Sequence, residues 1–187
     1  MKRAPCGFVA SSAVAAVMVA ALTSCASAPL DPVSDRLDSE TATTVTVLHA
    51  PVELISETPH GGVGDPFAYV APFETDRMGE RSLYLWASAP QQSGPLAAPK
   101  VSCDGHELSL QALSGDLAEF KLSRPPYTPP APWSAQWYFK LPPESLECLG
   151  AAQGIALETQ PSQSGTEPER FSASGKALAE LQAFARR

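Results

Sequence analysis

The sequence predicts an α+β fold: a single domain dominated by antiparallel strands, either sandwich-like or a sheet with helices on one face. Three observations predict it. Short runs rich in Val, Thr, Tyr and Trp alternate along the chain, which suits a pleated, half-buried surface. Turn residues separate these runs, most clearly Asp104-Gly105, a strong two-residue hairpin signal. Helical signals are confined to two places, 143–152 and 175–186.

Taken in order, 44–48 (Thr-Val-Thr-Val-Leu) is β-branched and alternating, and 52–56 resumes after Pro51. Residues 58–66 read as a glycine-rich loop, with Gly61, Gly62 and Gly64. Residues 67–70 and 82–88 are further strands. In the second, Leu83, Leu85 and Ala87 point one way and Tyr84 and Trp86 the other. Both faces are apolar, so this strand is expected to be central and covered on each side. Residues 100–122 predict a three-stranded meander. The Asp104-Gly105 turn pairs Cys103 with His106 and sets Val101 opposite Leu108. A three-residue turn at Ser114-Gly115-Asp116 then matches Ala112 with Ala118, Leu110 with Phe120 and Leu108 with Leu122.

Residues 124–132 hold Pro125, Pro126, Pro129, Pro130 and Pro132, which rules out a central strand or a helix interior. Residues 135–141 alternate again, with Trp137, Phe139 and Leu141 on one face. Pro142-Pro143-Glu144 suits a helix start, and the short helix places Cys148 beside Leu146 and Leu149. Residues 155–159 and 170–173 are expected as two more strands around a polar loop. The last helix is expected to start after a Ser174 cap, with Leu178, Leu181 and Phe184 as its apolar stripe.

The N-terminus carries a different kind of signal. Lys2 and Arg3 precede an apolar run over 8–22, which is short for a membrane-spanning helix of about 20 residues. Small residues then lead into a cysteine, as in an export signal. Leu22-Thr23-Ser24-Cys25 resembles the lipobox of bacterial lipoprotein precursors. The resemblance implies cleavage after Ser24, a diacylglycerol thioether on Cys25 and an amide-linked third acyl chain such as palmitate. It therefore implies a membrane-anchored protein of the cell envelope. Plain secretion, with cleavage after Ala26 or Ala28, and a spanning protein are the alternatives. In the enterobacterial version of the family an aspartate after the cysteine favours the inner membrane. Ala26 stands here, which leans towards the outer membrane, with the domain facing the periplasm.

On this reading the chain has three parts: a signal peptide at 1–24, a lipidated cysteine with an acidic, disordered tether at 25–42, and a β-rich periplasmic domain at 43–187. The tether expectation rests on Pro29, Pro32, Asp31, Asp35, Asp38 and Glu40, with little apolar surface to order them. The full chain has 13 Lys+Arg and 20 Asp+Glu; without Lys2 and Arg3 its formal charge is −9. Such a domain suits neither nucleic acid nor anionic headgroups.

Loss of Cys6 with the signal, and lipidation of Cys25, would leave Cys103 and Cys148 in an oxidising compartment. Pairing is the expectation there. Closing a loop of that size stabilises a fold by about 4 kcal/mol in the chain-entropy account.

Catalytic signatures are absent from the sequence. His60-Gly61-Gly62 has no Gly-x-Ser-x-Gly elbow to accompany it. Ser174-Gly175-Lys176 lacks the first glycine of a phosphate loop, and Ala177 replaces its Ser/Thr. His49, His60 and His106 have no zinc-type spacing, and Asp65, Glu74, Asp76 and Glu80, expected on loops, match no calcium loop. No catalytic residue, metal or other cofactor is expected. Two features suit partner binding. One is the proline-rich stretch with its P-x-x-P segments, flanked by Tyr127 and Trp133. The other is the Tyr84/Trp86 face, if it is exposed. For both features the preferred expectation is the ordinary one: a stiff loop packed on its own domain, and a core face. The leading expectation is thus a non-catalytic envelope lipoprotein that binds a protein or polymer partner. Its rival is a hydrolase of wall polymers with a site assembled only in space.

Overall fold

The computed structural model describes residues 31–58, 66–91, 96–161 and 168–187. The signal segment 1–24, Cys25, and Asp65, His60 and the glycines of the 58–66 loop lie outside the described residues. The fold is an α+β, β-rich domain, mostly antiparallel strand with two short helices. Its strands are β1 (Val33–Asp38), β2 (Thr43–Leu48), β3 (Val52–Ser56), β4 (Phe67–Arg77), β5 (Glu80–Pro90), β6 (Leu96–Cys103), β7 (His106–Glu107), β8 (Gln111–Ala112), β9 (Ser134–Lys140), β10 (Gly154–Pro161) and β11 (Arg170–Ser174). The helices are α1 (Pro143–Ala151) and α2 (Ala179–Ala185).

One sheet runs β7-β6-β10-β11-β3-β4-β5-β9-β8, with β2 also paired to β4 and β1 to β2. The two ends of this path, β7 and β8, are joined by residues 108–110 alone. So short a link forces the sheet to curl back on itself as a half-barrel. The curl needs tight turns. Met78 (φ 57°) and Gly79 (φ 86°) turn β4 into β5 with Arg77 opposite Glu80, the left-handed pair of a two-residue hairpin. Asp104 (φ 49°) and Gly105 (φ 83°) do the same between β6 and β7, with Cys103 opposite His106 as the sequence predicts.

The register sorts side chains onto two faces. Val52, Leu54, Val70, Leu85, Phe139, Leu157, Phe171 and Cys103 share the face covered by the helices. Leu149 of α1, and Leu178, Leu181 and Phe184 at and within α2, are buried there. The Cys103–Cys148 disulfide staples α1 to β6, with Cα atoms 6.3 Å apart. The other face carries Val45, Val47, Phe73, Tyr84, Trp86 and Tyr138. Residues 113–133 cross it as a strap. Strand β5 is therefore buried on both sides, as its doubly apolar pattern predicts.

Four expectations are corrected. The tether at 25–42 is not free of structure throughout, because β1 lies within it, paired with β2 from Val33↔Leu48 to Asp38↔Thr43. Val33 and Asp38 are buried, and it is this pairing, not local composition, that orders the segment. The third strand of the meander does not form. Asp116 accepts from the Ala118 N–H at 3.0 Å and starts a 3₁₀ turn at Leu117–Phe120, while β8 pairs with β9 instead. Glu74 and Asp76 lie on β4 and Glu80 on β5, not on loops. Ser174 makes no side-chain cap; a 3₁₀ turn at Gly175–Leu178 intervenes before α2 begins at Ala179.

Candidate functional site

The strap decides what the sheet can present. Phe120, buried, sits 5.0 Å from the Tyr84 ring and 4.9 Å from Tyr138. Phe73 stacks on Tyr84 at 5.0 Å. Polar contacts hold the strap's path. The Ser123 N–H and Oγ–H reach the Asp38 carboxylate at 2.7 and 2.8 Å. Arg36 donates to the Pro125 and Pro126 carbonyls at 3.0 and 3.3 Å, and Thr43 to the Lys121 carbonyl at 2.9 Å. The Ser123 N–H foremost, with the Ser123 hydroxyl and the Thr41 and Glu40 N–H groups, holds the Asp38 carboxyl below its ordinary range.

The four residues singled out for partner binding fall into two groups. Trp86 is fully buried, with its indole N–H satisfied by Gln136 Oε1 at 3.1 Å, and Tyr84 is buried under Phe120. Tyr127 is buried too; its hydroxyl accepts from the Leu48 N–H at 2.9 Å and donates to the Pro72 carbonyl at 2.6 Å. Burial pushes its phenol pKa up. These three residues are core, which corrects their candidacy: an aromatic already packed and bonded has no face left for a partner. Trp133 alone stays outside, 67% exposed. The proline stretch is thus a crossover loop pinned to its own domain, with one aromatic left over.

Sequence reasoning missed a cleft lined by charged side chains. It has a volume of about 270 Å³ and lies on the helix face between β1, β2, β4 and α2. Asp35, Thr46, Glu74, Arg81 and Arg187 line it, with Leu146 and Phe184 as its apolar wall. Arg187 pairs with Asp35 at 3.2 Å and Arg81 with Glu74 at 3.6 Å. The Thr46 hydroxyl donates to Asp35 at 2.7 Å. That bond, aided by Arg187, holds the Asp35 carboxyl low, so it is ionised at neutral pH and has no proton to give a leaving group. The alternation of β1 was the available signal, but it was obscured by Pro32 and the acidic residues around it.

Among the described residues no cluster of three or more His, Cys, Asp or Glu is arranged to hold a metal ion. No helix among them is long and apolar enough to cross a membrane. Comparison with protein-family models, with curated proteins and with solved structures finds nothing that this chain matches.

Proposed function

We propose that the protein is a lipid-anchored envelope lipoprotein whose domain binds a protein or polymer partner without chemistry of its own. Anchoring rests on Leu22-Thr23-Ser24-Cys25 and on two cysteines that suit an oxidising compartment. The observation that carries the binding reading is the mixed-charge cleft. Its Arg187–Asp35 and Arg81–Glu74 pairs are partly solvent-exposed, so each is worth little by itself and exchanges readily for a partner's charges. Overall acidity steers a basic partner towards it.

In-cell crosslinking of tagged full-length protein, read by mass spectrometry, tests this. One reproducible envelope component, lost on Arg81→Glu, is the expected result. Capture unchanged by that substitution counts against the cleft. The anchor has its own test: Cys25→Ser leaves uncleaved precursor, and normal processing of that variant overturns it.

A second reading, a wall-polymer hydrolase, draws on the Asp35 and Glu74 carboxylates sharing one cleft. Release of wall fragments that stops on Glu74→Gln would establish it.

A further inference from the structure

At the opposite end of the sheet from the Met78-Gly79 turn, apolar side chains point into solvent. Ile55 and Phe67 are cross-strand partners on the strap face, 52% and 38% exposed. Pro90, which follows in the same row by the β4–β5 register, pairs with Ser134 of β9. Trp133 precedes Ser134, and its carbonyl accepts the Gln91 N–H at 3.3 Å. Among the described residues, Ile55, Phe67 and Trp133 thus lie at one pole of the domain.

The chain enters β1 from the direction of this pole, with Val33 opposite Leu48 and so level with Pro72, midway along β4. Strand β1 is antiparallel to β2, and β2 to β4, so β1 runs in the direction of β4, which begins at Phe67. The His49 N–H still donates to the Pro32 carbonyl at 2.9 Å, which carries this path back to Pro32. Only residues 26–31 separate Pro32 from Cys25. Fully extended, they reach at most about 25 Å, enough to cover the roughly 17 Å of strand between the level of Pro72 and Phe67.

Resting on the lipid-anchor reading above, we infer that this pole faces the bilayer. Ile55, Phe67 and Trp133 enter the headgroup boundary of a zwitterionic lipid surface. Trp suits that boundary because its ring is amphipathic. Acidity disfavours anionic lipid, so the contact is apolar, and the anchor makes a weak contact sufficient by holding the pole at high local concentration. The charged cleft, on the half of β4 towards Met78, is then turned away from the membrane.

The test uses processed full-length protein in phosphatidylcholine vesicles, with and without lipid brominated in its acyl chains. Flotation with the vesicles reports the anchor. Quenching of the emission that Trp133→Phe removes reports the pole. Expected are flotation, Trp133 quenching by brominated lipid, and loss of that quenching in Ile55→Glu/Phe67→Glu with flotation retained. Flotation without Trp133 quenching overturns the docking and leaves the anchor standing. Failure to float overturns both. A dimer in sedimentation that Trp133→Glu dissociates, with no lipid quenching, assigns the pole to a second copy and overturns the inference.

Discussion

The Tyr127 hydroxyl donates to the Pro72 carbonyl at 2.6 Å, across 55 residues of chain, and closes a gap in the sheet. One edge of β4 is shared: residues 67–70 pair with β3 and residues 73–76 with β2. Continued by one residue, the β2 register would set Leu48 against Pro72. The phenol stands between them instead, taking the Leu48 N–H at 2.9 Å. Proline, which cannot donate to a ladder, is tolerated in this strand because it falls where β2 ends and β3 has not begun.

Tyr127→Phe keeps the ring and removes the bridge, leaving a buried N–H and a buried C=O unsatisfied. At about 1–3 kcal/mol for each such group, with partial relaxation, we expect a loss of about 2–3 kcal/mol. Urea denaturation would show a lower midpoint at unchanged slope. Trp133→Ala, at an exposed site, should stay within about 0.5 kcal/mol.

The disulfide spans 45 residues of chain. Replacing Cys103 and Cys148 together by serine should lower the unfolding free energy by about 4 kcal/mol. Matched urea curves for oxidised wild type and the double variant measure it. A change under 1 kcal/mol would mean that the packing of α1 alone sets the position of the helix.

Gly150 lies in α1 where it meets α2. A Cβ built there falls 2.7 Å from the Ala185 Cβ, closer than such atoms approach. Gly150→Ala would ordinarily strengthen a helix by up to about 1 kcal/mol. Here the helices must part, and a net loss of about 1–2 kcal/mol is expected. Adding Ala185→Gly should recover much of it, and a double-mutant cycle reads that coupling.

Asp38 contributes to the acid limb of stability. Its carboxyl is stabilised in the charged form, chiefly by the Ser123 N–H, so its pKa lies below the ordinary 3.8. A lowered native pKa means the stabilisation is present above that ordinary value and is lost as pH falls through the native one. Asp38→Asn should therefore be less stable than wild type at pH 6 and show a smaller further loss between pH 5 and pH 2.5 (about one unit either side of the ordinary carboxylate range). Parallel midpoint curves for the two proteins would remove Asp38 from this role.

Alternation along the chain, by itself, determined where most strands lie and which side chains share a face, because the pleat has a period of two residues. It marked β5 as covered on both sides, and the cysteine count paired Cys103 with Cys148. The Asp104-Gly105 turn determined its own register, since that backbone conformation admits few residues. The tertiary structure alone decided what covers each face and which edges meet. Residues 117–122 alternate well enough for a strand, yet Phe120 gains more by closing over Phe73 and Tyr84 than by extending a hairpin. Strand β1 looks like a solvated linker until β2 offers it an edge. Tyr127 and Trp133 flank the same prolines, and only the path of the strap separates a buried bridge from an exposed ring. Pairing and burial of this kind depend on contacts between residues far apart in the chain, which local pattern does not encode.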